Sequence, residues 1–576
     1  MNTRNPLPAD NCAAEPIQFS GAIQPHGYLA VCELPDWTIR HVSTNIETLF
    51  ETPPANLLGA TLRDYLTDDL IQAIGDVVQL AEPGAAPIRA AVGNVGASAT
   101  LHDISVHVND GLVHLEFEPR AGSAQDRAPT GLTQAMIARV ATSAGMDEFF
   151  QRAAQQMRGL TGHDRVLVYR FLDDGAGEVI AEAKSDDIDS LMGLRFPESD
   201  IPAQARALYV KNRLRVIPDT RYTPVPIVPG VLPSGQTLDL SFHHLRSVSP
   251  MHLQYSRNMG VVGSMSVSII SGGRLWGLFT LHHRTPRPVT ATVRAAAALF
   301  GLFISMRVSA EEQQRIAARD DHAREVRESL WRALASTRDL DRALAGQLEA
   351  IAQSLACDGV ALMLGGHWHH TGHTVSRQFA PDLLAWLASE PHNEQDVLFT
   401  DSADDWNAEH FGADGLAGLL AMRLGRSGDW LLFFRDEQVE HVSWAGEPNK
   451  PVAGEGDALV MRPRERFDAW REVIYRRSGP WSDLDRRMAE RLRQLLREFR
   501  RRATIEDFDP SEEHDADRRR QLLREQKNRL EQLSVMLDGL VHLDEADTRR
   551  LGDRIALLEI EMRALAAKPA DAGAEA

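Results

Sequence analysis

Cysteine is scarce in this chain of 576 residues: Cys12, Cys32 and Cys357 are all it has. An odd, sparse set cannot build a disulfide framework. The first ten residues, MNTRNPLPAD, also lack the apolar core of a secretory signal, so a cytoplasmic protein is expected. No unbroken apolar run is long enough to cross a bilayer, and no membrane partner is expected. Positive charge is also in deficit: 62 Lys and Arg against 81 Asp and Glu leave a formal net charge of −19. Such a balance disfavours nucleic acid as a partner. No internal repeat appears at a period of about 20–50 residues, which argues against a solenoid. What remains is a globular composition, 43% hydrophobic and 25% charged. The length exceeds what a single core holds, so three or four domains are expected.

Gly27 to Ala121 carries short alternating runs, YLAVCEL, WTIRHVS and LVHLEFEPR, with helical fragments at ETLF and LIQAIGDVVQLA. They predict an antiparallel sheet with small helices. AGSAQDRAPTG reads as a linker. After it, LTQAMIARVATSAGMDEFFQRAAQQMRGLTG predicts one amphipathic helix, followed by strands at DRVLVYRFL, GEVIAEA and the pair GSMSVSIISGGRLWGLFTLHH. From Val289 to Leu340 proline is absent and glycine nearly so, which predicts a helix of roughly fifty residues joining domains. A third α/β domain follows, with strands at GVALMLGG and WLLFFRD and a closing helix at SDLDRRMAERLRQLLREFRRRA. The tail from about Thr504 has Leu551, Ile555, Leu558, Met562 and Leu565 at two-helix seam spacing.

Two strings stand out. FPESDIPAQARALYVKNRLRVIPDT places Asp200 before Ile201 and Pro202, then a helix bearing Arg206, Tyr209, Lys211, Arg213 and Arg215. Read alone, SDIP is a helix start with Asp or Ser as cap and Pro in the first turn. Downstream, SPMHLQYSRNMGVVGSMSVSIISGGRLWGLFTLHH crowds His252, Tyr255, Ser264, Ser266 and His282 together, with Arg246 just before.

SDIP, SPMHLQYSRNMG, WAGEPNKP at Trp444–Pro451 and RPRERF at Arg462–Phe467 together resemble bacteriophytochromes, the biliverdin-binding red and far-red light sensors. The resemblance reaches about residue 504. It implies an α+β multidomain fold of PAS (1–121, with its N-terminal arm), GAF (131–310) and PHY (311–504) domains, joined by the long helix. A PHY hairpin, the tongue, would occupy about 440–475, and a helical coiled-coil tail 505–576. The resemblance further implies that Ile23, in the N-terminal arm, is threaded through a GAF loop.

The resemblance assigns roles to single residues. Cys12, flanked by EPI and IQPHG, would form a thioether with ring A of biliverdin, the expected cofactor; Cys32 and Cys357, placed in a strand and a helix, read as buried hydrophobes. Tyr209, Arg215 and Arg246 would bind one propionate, and Ser249, His252, Ser264 and Ser266 the other, because guanidinium forks suit carboxylates. Surface solvation is the plain reading of Arg206 and Arg213. Asp200 would accept from the pyrrole nitrogens through its carbonyl, with Ile201, Pro202 and Met251 completing the cavity. Tyr169, Phe196 and Tyr255 would surround ring D, whose carbonyl His282 would hold. The Asp200 side chain would pair with tongue Arg464 in the red-absorbing state, and with the residue two positions later after conversion, as the tongue refolds to helix.

The tongue departs from the family's PR-x-SF: Pro463, Arg464 and Phe467 match, but Arg466 replaces the serine. Altered photoproduct yield or dark reversion is the expected consequence. The family's WGG is Trp444, Ala445, Gly446 here, so a left-handed backbone at the second position would lack its glycine. No kinase, cyclase or phosphodiesterase signature is found; His514 and His542 lack the surroundings of a phosphoacceptor, so no enzyme is expected, and no metal site. A homodimer with an unidentified downstream partner is expected. Two alternatives stay open: a light-regulated kinase-type sensor whose catalytic part is absent or supplied in trans, and a tetrapyrrole-binding protein without photochemistry.

Overall fold

The computed structural model describes residues 15–96, 100–120, 129–231, 235, 237–335, 340–389, 396–407, 415–424, 428–448, 452–453, 460–461, 464 and 466–506. Cys12, Pro463, His514, His542 and the seam of the tail lie outside them.

Three large sheets organise the described chain, beside a two-stranded pair of Val452–Ala453 with Val460–Met461, and each alternating run in the sequence supplies a strand. The first has seven strands in which Tyr28–Glu33, Thr38–Ser43, Ile88–Asn94, Leu101–Asn109 and Leu112–Pro119 pair antiparallel. Its core holds Ile39, Val42, Ile104, Leu115 and Phe117, with helix Asp68–Leu80 supplying Ile71 and Ile74. Two further strands come from outside this unit: Val225–Val228, from a later excursion, pairs with Thr38–Ser43 and then with Ala22–Ile23 of the arm. Ile23 faces Val225 on one edge and Arg246 on the other, and Gln24 N–H donates to the Leu245 carbonyl at 2.7 Å. The excursion thus grips the arm from both sides, as a threaded arm requires.

The second sheet is antiparallel across Leu214–Ile217, Gly263–Ser271, Arg274–His283, Arg165–Phe171 and Gly177–Lys184. Side chains alternate between its faces. Leu214, Val216, Met265, Val267, Phe279, Leu281, Val166 and Val168 enter a core covered by helices. Arg215, Ile217, Ser264, Ser266, Leu278, Thr280, His282, Leu167 and Tyr169 go to the other face, where no helix layer fills the space.

The covering helix expected over Leu132–Gly162 is two, Pro129–Val140 and Met146–Thr161. Small polar residues break it. Ser143 Oγ donates to the Val140 carbonyl at 2.8 Å, and Glu148 accepts from the Ala144 N–H at 2.7 Å, fixing the chain just before the second helix. The long helix runs Ala291–Ala335, 45 residues and about 68 Å at about 1.5 Å each. Ala297, Phe300, Ile304 and Val308 belong to the second core, Val326 and Leu330 to the third. Its first half is long and apolar enough to cross a bilayer by composition, contrary to expectation, but much of that apolar side is buried in the second core.

The third sheet orders His367–Gly372, Gly359–Leu364, Trp430–Asp436, Leu416–Arg423 and Val397–Thr400. Helix Asp483–Glu506 closes it through Met488, Leu492 and Leu496. Cys357 sits in the half-buried loop before Gly359–Leu364, not in a helix, because the preceding helix ends at Ser354 and Ala356 turns left-handed with φ 47°. Cys32 is buried in its strand as expected.

Candidate functional site

The open face of the second sheet is the floor of a cavity of about 230 Å³. Its roof comes from Glu198–Asp200, helix Ala203–Lys211 and helix Pro250–Asn258. Every described cofactor candidate from the sequence lines it: Tyr169, Phe196, Asp200, Ile201, Pro202, Tyr209, Arg215, Arg246, Ser249, Met251, His252, Tyr255, Ser264, Ser266 and His282. Gly177 makes room for one of them, since a Cβ there would fall 1.8 Å from Tyr169 Cζ.

One end of the cavity is cationic. Arg215 donates to the His243 and His244 carbonyls, both at 3.3 Å, and also to the Arg246 carbonyl. Arg246 Nη1 donates to the Ile17 carbonyl at 2.9 Å, while its Nε is buried without a partner. Neither guanidinium makes an ion pair with a described carboxylate, and burial with Arg215 alongside holds Arg246 down to about 9. Burial pushes His252 down to about 4, with both arginines adding to the effect. Ser249 caps helix Pro250–Asn258, accepting from Met251 N–H at 3.3 Å, and donates to Glu15 at 2.9 Å. That acid was not anticipated: nothing in the sequence pairs it with Ser249, 234 positions away.

The other end is aromatic and acidic. Asp200 is no helix cap here, because Pro202 holds the cap position of Ala203–Lys211 and no side chain caps it. Its carboxylate instead accepts from Tyr255 O–H at 3.1 Å and lies 3.8 Å from Arg464 Nε. Burial, then Asp200, drives the Tyr255 phenol well above its ordinary range. Burial pushes His282 down to about 3, and its Nδ1 has no hydrogen-bond partner. Arg206 is not merely solvated: it donates to the Ile201 carbonyl at 2.7 Å, lies 4.4 Å over the Phe171 ring, and so braces the turn that presents Asp200. Arg213 is exposed, as expected.

Arg464 arrives from the third unit. Strands Glu440–Ala445 and Ala469–Ile474 form an antiparallel hairpin that joins the second sheet where Trp444 meets Arg195. Arg464 donates to the Ala445 and Gly446 carbonyls, and Asn258 Nδ2 donates to the Arg464 carbonyl at 2.8 Å. Phe467 packs edge-on to Tyr255 at 5.1 Å. Trp444 donates to Glu472 at 2.7 Å, away from the cavity, and Arg466 is exposed. The left-handed residue is Gly446 at φ 82°, not Ala445, so the demand for glycine is met; a Cβ there would fall 2.3 Å from the Arg466 carbonyl oxygen.

Family models match in the same order along the chain: a PAS fold over 12–120, a GAF domain over 145–308 and a phytochrome region over 323–504. A bacteriophytochrome of Pseudomonas aeruginosa is 35% identical over 506 residues, 87% of this chain and 68% of that protein. The chain belongs to the phytochrome family. Among solved structures, a bacteriophytochrome from the photosynthetic bacterium R. palustris superposes with TM-score 0.71 at 36% identity, over 85% of this chain and 99% of that one. The photosensory core module of the Stigmatella aurantiaca phytochrome does so with TM-score 0.70 at 30% identity, over 88% and 100%. The chain is thus a phytochrome photosensory module that spans about two thirds of the Pseudomonas protein's length.

A linear tetrapyrrole suits this phytochrome cavity. The floor offers apolar walls at Leu167, Ile217 and Leu278, the cationic end has a buried guanidinium nitrogen to satisfy, and the far end has an unpartnered imidazole nitrogen. Leaving such groups buried and unpaired costs about 1–3 kcal/mol each. A dicarboxylate with a polar far end would relieve both.

Proposed function

We propose that the chain is a red/far-red photoreceptor that holds biliverdin in this cavity, tethered through Cys12. The observation that carries the reading is the pair Arg215 and Arg246, buried side by side without a described carboxylate partner, at one end of a cavity whose other end meets a hairpin from a different domain. When bound, the bilin would supply red-light absorption and an isomerisation at the methine bridge beside ring D. The protein groups then divide the work. Arg215 and Arg246 hold and orient carboxylates, and Ser264, Ser266 and neutral His252 add hydrogen bonds. The Asp200 backbone carbonyl accepts from the pyrrole N–H groups. His282, kept neutral by burial, donates from one nitrogen toward ring D. Tyr169, Phe196 and Tyr255 leave that end apolar enough to turn.

Relay starts at Asp200. With the tongue as a hairpin and Asp200 facing Arg464, the arrangement has the features that the resemblance implies for the red-absorbing state. Conversion would exchange Arg464 for Arg466 at the same carboxylate, refold the tongue, and shift the long helix that both cores share. On this reading the chain is not itself an enzyme, its domains divide near 121–131, 310 and 504, and it works as a cytoplasmic homodimer on an unidentified partner.

Adding biliverdin to the purified chain and recording difference spectra under red and far-red light tests this directly. A reversible spectrum is expected, with pigment that survives denaturation in the wild type and not in Cys12→Ala. Colour without a light response would overturn the photochemistry; no colour would overturn the pocket assignment.

A further inference from the structure

Away from the cavity, three histidines converge where the first domain meets the excursion of the second. His107 and His114 lie directly opposite each other on strands Leu101–Asn109 and Leu112–Pro119, their rings 4.8 Å apart. His243, from the segment that grips the arm, closes the set, with ring centroids 4.5 Å from His107 and 4.9 Å from His114. One ligand nitrogen from each lies within 4.8 Å of the others. All three are buried, at 1%, 0% and 0% exposure.

Three imidazoles in the dry interior need partners, and the protein supplies few. His114 Nδ1 and His243 Nε2 share one hydrogen bond at 3.1 Å. Both ring nitrogens of His107, and Nδ1 of His243, have none. A satisfied core histidine does not look like this, since each orphaned nitrogen forfeits its hydration without return. A neutral imidazole keeps one lone pair, so each of the three can offer a donor nitrogen to a cation.

We propose that His107, His114 and His243 bind a borderline divalent cation of the zinc class, which clips the first domain to the excursion of the second. Neutral imidazoles suit such ions, and three of them leave a fourth position for water. No thiolate joins the set: Cys32 lies in the first core, its thiol pushed up to about 12 by burial. Metal–nitrogen bonds of about 2.0–2.1 Å would draw the rings inward. The turn at Asp110–Gly111, between the two strands, and the irregular segment carrying His243 are the places that give. None of the three imidazoles lines the bilin cavity, although the His243 main-chain carbonyl accepts from Arg215, which does.

The test uses the full chain without a histidine tag and without pigment, because bilins themselves bind zinc. The chain is equilibrated with ZnCl2, freed of unbound metal by gel filtration, and assayed for zinc, alongside a His107→Gln, His243→Gln double variant shown to be folded by circular dichroism. About one zinc per wild-type chain is expected, with a higher Tm that a chelator reverses, and loss of both in the variant. The Co2+ form should show the visible d–d absorption of a low-coordinate nitrogen site. A folded wild-type chain that retains no zinc overturns the proposal. So does undiminished retention by the variant, which would move binding to the surface histidines His367, His370 and His373.

Discussion

The two ends of the cavity are built on different principles. At the cationic end, Arg215 and Arg246 are held by main-chain carbonyls of one continuous segment and of the arm, contacts that cannot exchange without unfolding backbone. At the acidic end, the Asp200 carboxylate accepts from the Tyr255 phenol and faces the Arg464 guanidinium of another domain at 3.8 Å, beyond hydrogen-bond range. One end is fixed and the other can let go. A switch needs this asymmetry: anchoring both ends equally would leave no contact weak enough to respond.

Acid should strain both ends of the pigment-free chain at once. An unfolded histidine takes up a proton near pH 6.5, but His252 and His282 resist until about 4 and about 3. The unfolded state therefore binds more protons in that window, and stability falls as pH drops from about 6.5 toward 4, by about 1.4 kcal/mol per unit for each. Glu116, raised to about 7 by burial, acts oppositely, losing stability as pH rises from about 4.5 to 7; it is outweighed, because burial also holds His26, His114, His163 and His244 down to about 4. Denaturant midpoints against pH check this, and His282→Gln should flatten the acid limb as much as His252→Gln does. Unequal flattening would break the symmetry assumed for burial at the two ends.

Asp200→Ala separates them. It strands the buried Arg464 guanidinium, a loss of about 3–5 kcal/mol in a well-formed pair and less here because carbonyls remain. Amide exchange over 440–474 should accelerate at least tenfold, with no change around Arg215. Arg246→Met probes the fixed end: fold and hairpin should survive, while biliverdin uptake weakens by roughly ten- to a hundredfold, the equivalent of about 1.5–3 kcal/mol for a charge-assisted bond. Arg466→Ser is the smallest change in this state. The side chain is exposed, so stability should hold within about 0.5 kcal/mol, yet dark reversion after red light should shift. An unchanged photocycle would remove Arg466 from the relay.

Part of the floor was legible because strand alternation is a local rule: once GSMSVSII is a strand, Ser264 and Ser266 must share a face, but His282 joins them only because a register shift at Ile269–Ile270 sets it opposite Ser264. The roof was legible only by resemblance, since nothing in SDIP taken alone distinguishes a capping aspartate from one that faces Tyr255. Contacts between distant segments stayed hidden. Glu15 on Ser249, Asn258 on the Arg464 carbonyl, and His243 beside His107 each join residues more than a hundred positions apart, with no periodicity to announce them. Arg206 was misjudged because a charged helix residue next to solvent looks idle until its carbonyl partners are placed. The helix break at Ala141–Gly145 was missed because the apolar spacing continues through it.

The long helix carries a mechanical consequence. Between Glu312, which accepts from Ser271 of the second sheet, and Asp320, which lies 3.9 Å from Arg491 of the closing helix, the side chains of 313–319 face water. That free span is about 10 Å of stiff rod. Torque applied at one end has nowhere to dissipate sideways and reaches the other as rotation or bend. Two glycines placed there would act as a universal joint, leaving each clamp tight while the signal between them slackens.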